Sequence, residues 1–312
     1  MRAVVFPGQG SQAVGMGQRL AEASATAREV FEEVDDALGQ KLSKLMFEGP
    51  QEELTLTANA QPALMAVSVA LVRTLEKDGG KRLADGCNFV AGHSLGEYTA
   101  LTAAGSLKLG DAARLLRRRG QAMQAAVPVG EGAMAALLGM DIPDVEQLVA
   151  DAASAGICTI GNDNAPGQVV VSGATAAVER AVELAKERGV RKAIMLDVSA
   201  PFHCPLLQPA ADAMQEALAE ITLDEPVVPL IANVTAAPVT DPEEIRRLLV
   251  EQVTATVRWR ECVLAMGELG VETLVEMGEG KVLSGMLRRI NRDMKSLPVQ
   301  GPDDLEALVA TW

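Results

Sequence analysis

The sequence predicts an α/β protein built on a mainly parallel sheet covered by helices on both faces. Three observations carry that expectation. Short apolar or β-branched runs alternate with stretches of helical period along the 312 residues. Two of those runs turn through glycine directly into a helix. Between residues 132 and 198 the order changes to βαββαβ, the split-βαβ, ferredoxin-like arrangement that forms a compact unit by itself. The expected domains are a core of residues 1–131 and 199–312, with 132–198 inserted as a small subdomain.

In chain order, residues 1–6 (MRAVVF) read as a strand stopped by Pro7 and Gly8. Leu20, Val30, Val34 and Leu38 then give the period of one helix from about 16 to 38, and Pro62 to Leu75 that of a buried one. Asn88 to Ala91 is a strand entering GHSLGEYTALTAAG, a helix closed by Gly105. Asp111 to Gln124 is helical and carries Arg114, Arg117, Arg118 and Arg119. In the insertion, Ala133 to Leu138 is a strand and Pro143 to Ala153 a helix. Gly156 to Ile160 and Gln168 to Ser172 are strands around the turn NDNAPG; helix Ala174 to Arg188 and strand Ala193 to Val198 follow. The core then resumes with a helix at about 206–220, strand Val227 to Asn233 and helices at 242–252 and 258–268. Strand Glu272 to Met277, helix Lys281 to Ile290, strand Ser296 to Val299 and a terminal helix complete it.

Composition removes several function classes. Hydrophobic residues at 48% and charged residues at 22% describe a chain that folds rather than a disordered one. Aromatics at 3% leave little for stacking on bases, and a net charge of −14 opposes binding to a phosphate backbone, so nucleic acid is not an expected partner. No run approaches the ~18 consecutive apolar residues of a membrane span. Cys87, Cys158, Cys204 and Cys262 form no CxxC pair, which disfavours a structural metal and suits a reduced, cytoplasmic protein. Histidine is scarce. Only His93 and His203 exist, so imidazole chemistry at neutral pH must use one or both.

Gly92-His93-Ser94-Leu95-Gly96 matches G-x-S-x-G in the context that gives the motif meaning, with a strand before it and a helix after. The glycines permit the sharp turn that lifts the Ser94 hydroxyl out of the sheet, and the helix N-terminus adds positive potential where an oxyanion forms. A serine hydroxyl needs a base in reach. His93 shares the turn and should point to another side of the elbow, lining or packing the pocket. His203, in VSAPFHCP between a strand and a helix, is the better base. Cys204 beside it reads as a buried, inert thiol rather than a second nucleophile.

Gly8-Gln9-Gly10-Ser11-Gln12-Ala13 literally fits the dinucleotide pattern G-x-G-x-x-A. The context fails, because Glu29, Glu32, Glu33 and Asp35 lie in a helical stretch and no second strand appears in 39–58. The turn instead suits a backbone N–H donor to an oxyanion hole, beside the N–H of Leu95. Arg114 and Arg117 read as a solvated helix face. Arg119, ending the basic run, is a candidate for holding a substrate carboxylate.

FPGQGSQ at 6–12, GHSLGEY at 92–98, the arginine before Gly120, NDNAPGQVV at 162–170, APFHC at 200–204 and GKVLSG at 280–285 together resemble the malonyl-CoA:acyl-carrier-protein transacylases of bacterial type II fatty-acid synthesis. The resemblance spans nearly the whole chain and implies an α/β-hydrolase-like core with a ferredoxin-like insertion. It implies Ser94 as acylated nucleophile and His203 as general base and acid. The N–H groups of Gln9 and Leu95 would form the oxyanion hole, and Arg119 would pair with the malonyl carboxylate. The main-chain carbonyl of Gln252 would orient the imidazole in place of a triad acid. Leu95 with Phe202 resembles the pattern for malonyl rather than methylmalonyl units. Glu279 stands where the family often has proline, and Phe202 where close relatives often have serine.

The implied reaction is ping-pong, in fatty-acid or alternatively polyketide biosynthesis. Malonyl-CoA is a substrate, the second acceptor is the phosphopantetheine thiol of acyl carrier protein, no cofactor is required, and the enzyme acts as a monomer. A serine hydrolase using the same dyad and a non-catalytic carrier-protein-binding module are the rival readings. Carrier protein is acidic as a family, so docking on this chain needs a local basic patch; Arg191 and Lys192, or Arg288 and Arg289 with Arg292 and Lys295, are the candidates.

Overall fold

The computed structural model describes residues 1–312. Its ten strands are β1 (Arg2–Phe6), β2 (Phe89–Gly92), β3 (Gly132–Leu138), β4 (Cys158–Ala165), β5 (Gln168–Ala174), β6 (Lys192–Met195), β7 (Leu230–Ile231), β8 (Pro238–Val239), β9 (Thr273–Met277) and β10 (Lys295–Val299). They form two sheets.

The larger sheet has the order β10-β9-β1-β2-β7-β8 and is parallel except for the β7–β8 hairpin. Its central strands are buried on both faces, as their near-continuous apolar runs require. Side chains alternate between two cores: Val4, Phe6, Val90, Leu230, Val275 and Met277 pack on one face, while Ala3, Val5, Ala91, Ile231 and Leu274 pack with Trp259 on the other. From β1 the chain moves outward to β2 and β7, then returns to add β9 and β10 on the opposite side. The carboxyl end of β1 is therefore a topological switch point, where the crevice of an open α/β sheet lies.

The smaller sheet, β4-β5-β3-β6, is antiparallel. Ala133, Ala135, Leu137, Val169 and Val171 face helices Ile142–Ala152 and Thr175–Glu187. Met134 and Val170 alternate to the other face and line the cavity described below. An isolated parallel bridge between Asn162 and Val257 ties β4 to the core, with Val257 N–H donating to Gly161 O at 2.9 Å and Asp163 N–H to Val257 O at 2.9 Å.

Several local expectations shift. The helix expected over 16–38 is two, Gln18–Ala23 and Ala25–Leu38, because Ser24 is extended and its hydroxyl caps the second by accepting from Ala27 N–H at 3.1 Å. The buried helix runs over Thr57–Lys77 with Pro62 inside it; burial along almost its whole length outweighs the lost backbone bond. The strand expected over 227–233 contracts to β7, since Pro226 and Pro229 remove ladder donors. The turn expected over NDNAPG is confined to Pro166-Gly167, with Gly167 at φ +65°, and Asn162 to Ala165 belong to β4. Residues 39–58 hold the short helices Leu42–Glu48 and Gln51–Thr55.

Candidate active site

Phe6 of β1 pairs with Gly92 of β2, so the loops after both strands leave the sheet edge side by side. A Cβ on Gly92 would lie 1.9 Å from the Gly96 carbonyl carbon, and one on Gly96 would lie 2.5 Å from Phe6 O. Strand and helix Gly96–Ala103 thus meet at backbone distance, which only glycine allows. Between them Ser94 adopts φ +54°. Such left-handed backbone costs about 1–3 kcal/mol and persists where neighbours hold it. Asn233 does so: its Oδ1 accepts from Ser94 N–H at 2.9 Å and its Nδ2 donates to Gly92 O at 2.8 Å.

Ser94 Oγ lies 2.8 Å from Nε2 of His203, whose backbone is also left-handed at φ +60°. Nδ1 of the same ring is 2.9 Å from Gln252 O. A carbonyl oxygen can only accept, so Nδ1 carries the proton and Nε2 keeps a lone pair facing the serine hydroxyl. Burial, then the neighbouring Arg119 guanidinium, pushes the imidazole down to about 3. At neutral pH it is an uncharged acceptor.

Arg119 reaches the same hydroxyl, with Nη2 3.0 Å from Ser94 Oγ. It lies inside helix Leu109–Ala126, as expected from the helical stretch Asp111 to Gln124. Gly120 next to it lets that helix approach Ala58, whose Cα a Cβ would meet at 2.6 Å. The side chain is 1% exposed, and its hydrogen-bond partners are neutral: Gln61 Oε1 at 2.8 Å, Gln252 Oε1 at 2.8 Å and the serine. Its Nε has no partner, and the Tyr98 ring lies 5.7 Å from the guanidinium carbon. Arg117, expected on a solvated face, is half-buried instead and donates to Asn59 Oδ1 at 2.7 Å and Gln40 Oε1 at 2.6 Å.

Ser94, His203, Arg119 and Gln61 line one cavity of about 760 Å³ that also takes in Gln9, Leu95, His93 and Phe202. The N–H groups of Gln9 and Leu95 donate to no protein acceptor. His93 turns away from the hydroxyl: its Nε2 is 2.8 Å from Asn164 Oδ1 and its ring lies against Trp259, 5.9 Å between centroids. Gly8 makes room for it, since a Cβ there would come within 2.9 Å of His93 Nδ1. Cys204 is fully buried and donates to Pro201 O at 3.1 Å, with burial pushing its thiol up. Arg288 and Arg289 are exposed on helix Val282–Ile290, which contributes Val282 and Met286 to the cavity; Arg191 and Lys192 are exposed on the small sheet and do not line it.

Gln61, Met134, Asn162 and Asn164 also line the cavity, and sequence reasoning gave none of them a role. One signal was available. Asn162 and Asn164 alternate with Asp163, which points away to an ion pair with Arg260 at 2.8 Å, the period of a strand with one polar face on a site.

The family model described as the acyl transferase domain matches residues 3–301. The chain belongs to the acyl transferase family. Within it, the chain is 45% identical to the malonyl CoA-acyl carrier protein transacylase of Bacillus subtilis, over 99% of this chain and 96% of that one, and 44% identical to that of Escherichia coli K12, over 98% and 97%. The acyl-carrier-protein-S-malonyltransferase of Bartonella henselae has a similar structure, with TM-score 0.97, 56% identity and coverage of 99% and 98%. A type II PKS acyl-carrier protein in complex with its malonyl-transacylase gives TM-score 0.96 at 41% identity, covering 100% of this chain and 99% of that one. These relatives place the chain among the malonyl CoA-acyl carrier protein transacylases.

Proposed function

We propose that the protein moves a malonyl group from malonyl-CoA to the phosphopantetheine thiol of acyl carrier protein, in fatty-acid biosynthesis, through an acyl-enzyme on Ser94. The observation that carries this reading is Arg119: a buried guanidinium with neutral partners, 3.0 Å from the serine hydroxyl at the wall of a cavity. A buried charge is costly unless paired, and a carboxylated acyl group supplies the missing anion bidentately.

His203 Nε2 takes the Ser94 proton as the hydroxyl attacks the thioester carbonyl, and the N–H groups of Gln9 and Leu95 receive the developing oxyanion. CoA leaves with that proton. The incoming carrier thiol gives its proton to the same nitrogen, attacks the acyl-serine and restores the hydroxyl. Gln252 O holds the imidazole in the required tautomer throughout. Leu95 and Phe202 bound the acyl pocket. The chemistry assigned to these side chains is complete without a cofactor.

The strand order β4-β5-β3-β6 with two helices on one face supports reading 132–198 as a ferredoxin-like unit, inserted in a hydrolase-like core of 1–131 and 199–312. We place carrier-protein docking at Arg288 and Arg289, which share a helix with the cavity wall, in preference to Arg191 and Lys192. We assign the enzyme to the cytoplasm as a monomer; no helix is long and apolar enough to cross a membrane.

Incubation with malonyl-CoA alone tests the mechanism. The expected result is a stable malonyl adduct on Ser94 by mass spectrometry, absent in Ser94→Ala and discharged by holo carrier protein. Continuous CoA release without an adduct would instead indicate a hydrolase.

A further inference from the structure

Glu97 is a buried acid that the mechanism above does not use. It lies three residues beyond Ser94 in the first turn of helix Gly96–Ala103 and is 1% exposed. Its Oε1 accepts from Asn233 N–H at 2.6 Å, and its Oε2 accepts from Gln252 Nε2. Burial pushes it up to about 8. In either protonation state the oxygens facing those N–H groups can accept.

The Gln252 amide is the link. Its Nε2 faces three oxygens: Glu97 Oε2, Ser94 O at 3.0 Å and Asn233 Oδ1 at 3.4 Å. Its Oε1 faces Arg119 Nη2 at 2.8 Å, the same nitrogen that reaches Ser94 Oγ. Turning the amide over would set an oxygen against three oxygens and two N–H groups against a guanidinium. The glutamate therefore helps to decide, with Ser94 O and Asn233 Oδ1, which end of Gln252 meets the arginine.

We propose that Glu97 is a positioning residue for Arg119, acting through the side chain of Gln252, and so contributes to selecting a carboxylated acyl group. This rests on the role of Arg119 proposed above. In Glu97→Gln the new amide keeps its oxygen on Asn233 N–H and sets its NH₂ against Gln252 Nε2, so Gln252 either turns over or moves away, and its oxygen leaves Arg119 in either case. The guanidinium loses its acceptor and its aim.

The test compares kcat/KM for malonyl-CoA and acetyl-CoA in the full-length enzyme. Glu97→Gln is expected to lower the malonyl-to-acetyl ratio about tenfold, the scale of one charge-assisted hydrogen bond, mainly through the KM for malonyl-CoA. Gln252→Leu keeps the main-chain carbonyl on His203 and should lower the ratio similarly, so the test survives if Glu97→Gln folds poorly. Adding Glu97→Gln to Arg119→Ala should lower the ratio no further. Equal losses for both substrates, or additive losses in the double variant, would overturn the positioning role. A ratio unmoved by Arg119→Ala itself would instead refute the reading of Arg119.

Discussion

At the scale of single residues, the dyad has an uncharged base held without a charged partner. Burial keeps His203 unprotonated down to about 3, so acidification through the ordinary histidine range should not switch off its acceptor nitrogen. The rate of Ser94 acylation by malonyl-CoA is expected to stay within about twofold between about pH 5.5 and about pH 7.5, where an unperturbed imidazole would lose most of its activity. Rapid-quench mass spectrometry across that range checks it. The same burial gives stability two opposite slopes. An unfolded His203 takes up a proton below 6.5 that the folded one refuses until about 3, so this group erodes stability as pH falls through that window. Glu97 is the reverse: folded, it keeps its proton up to about 8, whereas unfolded it ionises near 4.5, so its contribution is lost as pH rises between them. Denaturant melts of His203→Ala should show a shallower acid limb, and those of Glu97→Gln a shallower alkaline one. Arg119→Ala is expected to depress malonyl transfer and relax the preference toward acetyl-CoA; unchanged selectivity would sink its assignment.

At the scale of elements, close backbone approach is what arranges the site. Gly92→Ala would force a Cβ into the Gly96 peptide, and a loss of more than about 3 kcal/mol, or failure to recover folded protein, is expected. Gly120→Ala drives the Arg119 helix off Ala58 and should raise the KM for malonyl-CoA more than that for acetyl-CoA; thermal melts and steady-state kinetics separate the two effects. These local devices explain what the sequence disclosed. Gly92 through Gly96 could be read because strand, turn and helix stand contiguously, and His203 because so few imidazoles exist. Gln61, Asn233 and Glu97 could not, because each gains its meaning from a partner 58 to 155 residues away that no local periodicity reveals. Helix boundaries slipped for a related reason. Ser24 breaks a periodic stretch by capping its own second half, and Pro62 is overridden by burial that depends on the rest of the fold.

At the scale of the molecule, a net charge of −14 must still admit an acidic partner if the proposed acceptor is carrier protein. Reversing Arg288 and Arg289 to glutamate is expected to raise the KM for carrier protein severalfold, with a weaker salt dependence, and to leave acylation by malonyl-CoA unaffected; an unaltered KM would remove that patch. The small sheet roofs the cavity with Met134, Asn162, Asn164 and Val170, while the Asn162–Val257 bridge fixes it to the core.

The order of strands has a further consequence for how the protein comes into being. β1 precedes both of its neighbours in the chain: β2, paired from Phe89, and β9, paired from Thr273. A chain synthesised from its N-terminal side therefore carries β1 with one edge unmatched until β9 has been made, the kind of edge that recruits wrong partners. On the mechanism proposed above, acylation needs Gln252 and His203 as well as Ser94, so it should appear late and abruptly in refolding. Capture of the malonyl group would then time the closing of the sheet.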